Sequence, residues 1–90
     1  MVTKKEEDII KRCAKKYQVL SVLLFGSSLE KKNANDIDLA VKGIKASSFF
    51  DFYAELFRSL SKPVDLVDLN DADSYFAARV LEGGKVIYEA

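Results

Sequence analysis

The 90-residue sequence predicts one α+β domain, residues 1–90, in which helices pack on a single small β-sheet. Three observations support this fold class. Apolar residues recur at helical spacing in three segments, and four other short segments are apolar runs or alternations typical of strands. These segments follow the order helix, strand, strand, helix, strand, helix, strand. Hydrophobic residues make up 49% of the chain, which is enough for a compact core.

The first predicted helix covers residues 3–17. Thr3 and Glu6 match the capping-box pattern, and acidic residues precede basic ones by four positions on the polar face. We interpret its lysines as a solvated face and Cys13, on the apolar side, as a packed thiol. The run "VLSVLLF", residues 19–25, then predicts a buried strand that ends at a Gly-Ser pair.

A polar loop, "SLEKKNAN", separates this strand from the second, and it could contain one helical turn at its start. The second strand, "DIDLAV", covers residues 36–41 and alternates in polarity. An apolar stripe over residues 46–60 then predicts a helix, with Ser47 or Ser48 as its cap.

The C-terminal third of the chain predicts two more strands around a helix. "VDLVDL", residues 64–69, is the third strand, and "KVIYE", residues 85–89, is the last. Between them, Asn70 or Asp71 caps a helix that extends to about Leu81 and is stopped by two glycines.

Composition excludes several functional classes. Fourteen basic and 14 acidic residues give a net charge of 0, which argues against binding nucleic acid through bulk charge. Because the sequence has no histidine, serine–histidine and cysteine–histidine catalysis and the common zinc sites are excluded. A bound metal would need oxygen ligands, which favours Mg2+, Mn2+ or Ca2+. The single cysteine and the absence of a long apolar run predict a soluble, cytoplasmic protein.

Two aspartates, Asp36 and Asp38, stand inside the second predicted strand. Because alternate side chains of a strand share a face, both point the same way, while the intervening apolar residues point into the core. Their backbones lie about 6–7 Å apart, so both carboxylates could reach one or two hard cations. On this count alone a solvated strand face explains the pair equally well, although aspartate is a poor strand former and like charges on one face repel.

A third aspartate favours the metal site. In "VDLVDL", Asp65 and Asp68 have opposite parity, so only one of them can join the first pair. We assign Asp65 to the metal, since an aspartate in the interior of a strand needs a reason. Asp68 is expected to bind backbone amides or to cap the next helix, and Asp71 and Asp73 are expected to be structural.

The Gly26–Ser27 pair stands at the end of the first strand. Glycine lets the backbone approach a ligand there, and amides with a serine hydroxyl can bind an anion, although an ordinary turn would look the same. Together with Asp-x-Asp and a later strand aspartate, the pair supplies a phosphate cradle and a carboxylate triad. These are the parts needed for two-metal phosphoryl or nucleotidyl transfer.

The combined motif resembles the DNA polymerase beta-like nucleotidyltransferases, and within them the minimal (MNT) branch. The matching segments are "LLFGSS", "NDIDLAV" and "PVDLVDL", and "VLEGGKVIYE" is similar to the close of minimal members. The resemblance covers about residues 19–89. It implies the nucleotidyltransferase fold, a small mixed β-sheet of about four strands flanked by helices.

The resemblance also implies roles for individual residues. Asp36 and Asp38 would hold two Mg2+ ions, with Mn2+ as a possible substitute. Asp65 would bind the catalytic ion and lie near the attacking hydroxyl, whose proton it could accept. The phosphates of the substrate, ATP or another nucleoside triphosphate, would be held by Gly26, Ser27 and Ser28.

A partner is implied in the same way. The usual partner of the minimal branch is a small helical HEPN protein, an RNase toxin that the MNT protein silences by adenylylating one of its tyrosines. The resemblance therefore implies AMP transfer from ATP to a tyrosine of such a partner, and an antitoxin role. No membrane partner is expected, and self-association is left open.

Two alternatives stay open. Many relatives carry an arginine directly after Gly-Ser, whereas this chain has Ser28, Leu29 and Glu30 there, in a loop about two residues shorter. This departure favours a binding module that neutralises a helical partner without chemistry. The intact aspartate triad favours an enzyme, and its acceptor could also be a small molecule.

Overall fold

The computed structural model describes residues 2–26 and 36–90, which form three helices and four strands. Their bounds are Lys4–Lys16 (α1), Ser21–Leu24 (β1), Ile37–Lys42 (β2), Ala46–Ser59 (α2), Val64–Asp68 (β3), Ser74–Gly83 (α3) and Lys85–Glu89 (β4). The arrangement confirms the predicted α+β fold class. None of the helices in these two ranges is long and apolar enough to cross a membrane.

The four strands form one mixed sheet in the order β3-β2-β1-β4. β1 is antiparallel to both of its neighbours, whereas β2 and β3 are parallel. Because a parallel pair cannot be joined by a tight turn, the chain crosses from β2 to β3 through α2. β1 and β2 are the central strands, and all four residues of β1 are buried.

The two faces of the sheet are covered by different helices. One face carries Ile37, Leu39 and Val41, each at most 1% exposed, and packs against buried residues of α1 and α2 in the main core. The other face meets α3 through a smaller cluster of Leu23, Ala40, Leu69 and Val80. Alternation along β2 places Asp38 on this second face, as the sequence predicts.

α1 begins with the predicted capping box. The Thr3 hydroxyl accepts a hydrogen bond from the Glu6 amide at 3.1 Å, and the Glu6 carboxylate accepts one from the Thr3 amide at 2.8 Å. Glu6 is only 7% exposed, and its second carboxylate oxygen lies 3.7 Å from Lys62 Nζ. A cap of this kind typically stabilises a helix by about 1 kcal/mol.

The cap predicted for α2 is wrong. α2 begins after Lys45, which has an extended backbone and makes no side-chain capping bond. Ser47 and Ser48 lie inside the first turn, where the Ser48 amide already bonds the Lys45 carbonyl at 2.9 Å. The predicted apolar stripe is confirmed at Phe52 and Leu56, which are fully buried, but its member Phe57 is 55% exposed.

The start predicted for α3 is also wrong, since neither Asn70 nor Asp71 caps it. The chain first turns at the end of β3, where the Asp68 carbonyl accepts hydrogen bonds from the amides of Asp71 and Ala72, both at 3.1 Å. This turn delays the helix, and its cap is Asp73, whose carboxylate accepts a bond from the Tyr75 amide at 2.7 Å.

β1 is shorter than the predicted strand of residues 19–25. Gln18 has a φ of +56° and the Val19 amide still bonds the Ala14 carbonyl at 3.2 Å, so the end of α1 occupies the start of the predicted run. Phe25 lies just beyond β1, but its amide continues the pairing by donating to the Asp38 carbonyl at 3.0 Å.

A polar cluster around Glu55 joins α2 to the end of α1. The Glu55 carboxylate accepts hydrogen bonds from Lys16 Nζ at 2.7 Å and the Tyr17 hydroxyl at 3.0 Å, and the Cys13 thiol lies 3.6 Å away. The bond from Lys16 lowers the pKa of Glu55. Burial, with the Glu55 charge, raises the pKa of Cys13 to about 11. Cys13 is 1% exposed, so the predicted packed thiol is confirmed.

Candidate active site

The parallel pairing of β2 and β3 brings two of the predicted site residues together. Asp38 and Asp65 are direct register partners, so they stand side by side on adjacent strands and on the same face of the sheet. Adjacent strands are about 4.8 Å apart. Asp68 pairs with Val41, which faces the main core. The register therefore places Asp65, and not Asp68, beside Asp38.

Gly26 lies against the other side of Asp38. Its φ of +69° is left-handed, a conformation that glycine adopts without a steric penalty. A Cβ atom at this position would lie 2.6 Å from Asp38 Oδ2, closer than non-bonded atoms approach. The carboxylate of Asp38 thus occupies space that any other residue at position 26 would fill. Gly26, Asp38 and Asp65 therefore lie next to one another, in that order, across the sheet.

The other predicted site residues are less fully placed. Asp36 is exposed and directly precedes β2. In residues 2–26 and 36–90, no three carboxylate or thiol groups come together as a metal-binding cluster. Ser27 and Ser28 lie outside the described residues, as does the rest of the "SSLEKKNAN" segment. The roles given above to these three residues, and to Gly26, Asp38 and Asp65, stay predictions.

The donor atoms nevertheless suit a hard divalent cation. Asp38 and Asp65 offer carboxylate oxygens on adjacent strands of one face. Mg2+ commonly binds one or two protein carboxylates and completes its octahedral shell with water and substrate phosphates. A pair of carboxylates is therefore sufficient, and a closed protein cage is not needed. Two like charges side by side also favour a cation between them.

Two of the remaining aspartates have the structural roles that the sequence predicts. Asp68 Oδ1 accepts a hydrogen bond from the Asn70 amide at 3.0 Å, which supports the turn after β3. Asp73 caps α3. Neither carboxylate is needed at the site, because each already satisfies a backbone amide of its own turn.

The sequence patterns do not predict a cleft beside Gly26. This α3 cleft has a volume of about 600 Å3 and lies between the end of β1 and α3. Phe25 and Phe76 meet edge to face in it, with ring centroids 5.7 Å apart. The Arg79 guanidinium lies 5.9 Å from the Tyr75 ring centre and donates to the Tyr75 hydroxyl at 3.3 Å. The one sequence feature that could have indicated this cleft is the spacing of Tyr75 and Arg79, which lie four residues apart on a helix and therefore on one face.

A comparison with protein families decides the class. The family model described as "Polymerase beta, Nucleotidyltransferase" matches residues 7–90. The chain belongs to this nucleotidyltransferase family. The predicted resemblance to polymerase beta-like nucleotidyltransferases is confirmed.

Several solved structures share the nucleotidyltransferase fold. A toxin–antitoxin structure with AMP-PNP superposes with a TM-score of 0.76 at 27% identity, over 93% of this chain and 73% of that one. A tri-AMPylated HEPN toxin of Shewanella oneidensis in complex with an MNT antitoxin gives 0.73 at 26% identity, over 94% and 71%. A MntA–HepT toxin–antitoxin structure gives 0.75 at 24% identity, over 98% and 74%. No curated protein matches the chain.

Proposed function

We propose that the protein is a Mg2+-dependent nucleotidyltransferase that transfers AMP from ATP to a hydroxyl of a helical HEPN-type partner. The observation that carries this proposal is the side-by-side placement of Asp38 and Asp65 against the turn at Gly26. Family membership supports nucleotidyl transfer as the reaction. The similarity to a complex with AMP-PNP supports ATP as the donor, and the similarity to a tri-AMPylated HEPN toxin with its antitoxin supports the acceptor.

In the proposed reaction, the acceptor oxygen attacks the α-phosphorus of ATP. A new P–O bond forms, the bond to pyrophosphate breaks, and the hydroxyl proton is released. Asp38 and Asp65, with Asp36 directly before the start of β2, would hold one or two Mg2+ ions. When bound, Mg2+ neutralises phosphate charge and makes the acceptor hydroxyl a stronger nucleophile.

The positions of the two paired aspartates suggest different tasks. Asp38 is half-buried on the central strand β2 and lies against Gly26. This position suits binding of the metal ion that contacts the phosphates. Asp65 is exposed on the edge strand β3, where an incoming acceptor can reach it. This exposure supports a role for Asp65 as the group that accepts the proton of the attacking hydroxyl. Gly26, followed by Ser27 and Ser28, would hold the phosphates.

One observation favours a second candidate, a binding module that neutralises its partner without chemistry. In the described ranges the three predicted aspartates do not form a ready-made cluster. Such a module would keep the fold and the partner surface but not nucleotide transfer. The two candidates are therefore separated by chemistry, and not by partner binding.

The test uses ATP, CTP, GTP and UTP, each labelled at the α-phosphate. The purified protein is incubated with each nucleotide, Mg2+ or Mn2+, and the product of an adjacent gene for a small helical protein, or failing that source-cell lysate. The variants are Asp38→Asn and Asp65→Asn. Asp8→Asn is the matched control, because Asp8 is an exposed aspartate of α1, which packs on the opposite face of the sheet.

Nucleotidyl transfer to protein predicts label on a partner band with the wild type and Asp8→Asn, and its loss with Asp38→Asn and Asp65→Asn. Label on a small molecule would support nucleotidyl transfer but would show that the acceptor is not a protein. If no label is transferred from any nucleotide, while the partner co-purifies with the wild type and the variants alike, the protein acts by binding its partner and not by catalysis.

A further inference from the structure

We propose that the α3 cleft binds the base of the nucleotide, with the exposed ring of Tyr75 as its stacking surface, and that it favours purines. This inference rests on the proposed nucleotidyl transfer, because it places the base of the same substrate. It assigns a role to residues of α3 that the aspartate and glycine motifs leave unexplained.

The position of the cleft follows from the strand register. Leu23 of β1 and Ala40 of β2 are register partners, and α3 packs over both. Two residues nearer the start of β2, Phe25 stands beside Asp38, since the Phe25 amide donates a hydrogen bond to the Asp38 carbonyl. α3 therefore covers the row of Leu23 and Ala40, and it reaches the row of Asp38 at Phe25, which Phe76 contacts. The cleft opens at this contact, with Gly26 in its wall.

A nucleotide held by its phosphates at Gly26 would therefore have an aromatic cleft within reach of its sugar and base. The volume of about 600 Å3 lies within the usual range of small-molecule sites, about 300–1,000 Å3. Among the residues that the structure describes, three aromatic rings and one cation, Arg79, line it, which suits a flat, partly polar heterocycle. This continuity with the phosphate side is what favours a base over an unrelated ligand.

Tyr75 has the features of a stacking surface. It is 69% exposed, although a tyrosine ring gains by burial. Arg79 holds the ring through its hydroxyl and lies near its face, so the orientation of the ring is set before a ligand arrives. Phe76 is fixed in turn by Phe25. Stacking of one base on an aromatic side chain strengthens binding by about fivefold or more, and a purine offers more ring area than a pyrimidine.

The first experiment exploits the absence of tryptophan from the sequence. Tyr75→Trp introduces a single tryptophan on the cleft, and Phe57→Trp introduces one at a 55% exposed aromatic position of α2, on the other side of the sheet. Each is titrated with ATP, CTP and inorganic tripolyphosphate in Mg2+. Stacking predicts strong quenching of Tyr75→Trp by ATP, weaker quenching by CTP, little by tripolyphosphate, and none of Phe57→Trp.

The second experiment measures affinity by calorimetry. Tyr75→Ala should weaken ATP binding by at least about fivefold while tripolyphosphate binding stays unchanged, and Tyr75→Phe should retain most of the ATP affinity. An equal loss for both ligands, or no loss for either, would overturn the inference.

The two levels of the proposal fail differently. If Asp38→Asn lowers ATP affinity in Mg2+ and Tyr75→Ala does not, the base lies elsewhere and the nucleotide site stands. If the wild type binds neither ATP nor tripolyphosphate, the proposed function fails and the inference fails with it.

Discussion

Replacing Gly26 with alanine tests whether the turn after β1 holds the Asp38 carboxylate in place. Two effects are expected. Alanine in the left-handed conformation at φ +69° costs about 1–2 kcal/mol of folding free energy. In addition, the new Cβ would lie 2.6 Å from Asp38 Oδ2, so the carboxylate must retreat by about 0.8 Å to reach an ordinary 3.4 Å contact.

A displacement of that size is large for catalysis and small for folding. Misplacing a reacting or metal-binding group by about 1 Å can cost about 100-fold in rate. The folding penalty would lower the melting temperature by roughly 4–8 °C per kcal/mol in a domain of this size. We therefore expect Gly26→Ala to remain folded at 25 °C but to lose roughly 100-fold in transfer rate at saturating ATP.

Gly43→Ala is the matched control. Gly43 is also left-handed, with φ +75°, and a Cβ there would meet the Leu20 side chain at 2.4 Å. It follows β2 at the end opposite Asp38, so it should lose stability without moving the carboxylate. Urea unfolding and label transfer, measured on both variants, separate the effects. Equal rate losses in the two, after correction for folded fraction, would refute the argument, as would full activity of Gly26→Ala.

Two further predictions concern the contact between α2 and the end of α1, and the turn that follows α1. Glu55→Gln should remove stability at neutral pH and little at low pH. The lowered pKa of Glu55 stabilises the fold above the usual carboxyl pKa, and this is lost as pH falls through the folded-state value. Denaturation across pH tests this, with Glu7→Gln, which removes the Glu7–Lys11 pair within α1, as control. A pH-independent difference would contradict the prediction. Gln18→Gly should stabilise by about 0.5–1 kcal/mol, because glycine relieves the positive φ after α1; a lower melting temperature would contradict it.

The order of elements was predictable because each core element carries a strong local pattern. The alternation in "DIDLAV" fixes β2 and sends Ile37, Leu39 and Val41 into the main core, where all three are buried. The capping box fixes the start of α1. The helix starts at α2 and α3 were not predictable, because several polar residues near each start could cap it. Which residue caps each helix depends on the preceding turn, and that turn depends on where the strand before it ends.

For the site, the alternation of side chains along each strand predicts only which aspartates of that strand share a face. Alternation states that Asp36 and Asp38 share a face and that Asp65 and Asp68 do not. It cannot state which of the latter two faces Asp38, because that depends on the register of two parallel strands separated in sequence by α2. The structure supplies the register. The α3 cleft was not predictable from the sequence patterns, because it depends on how α3 packs against the sheet beside Gly26.

The aspartate pair is most easily explained as a cost that function imposes on the fold. Asp38 and Asp65 place like charges on adjacent strands, in residues that are poor strand formers, beside a glycine whose conformation few residues share. Each feature breaks a local rule for stability, and all three meet at one place. The main core on the opposite face keeps to those rules. Local conflicts gathered at one site of an otherwise consistent fold are expected where ligand binding, and not folding, determines the residues.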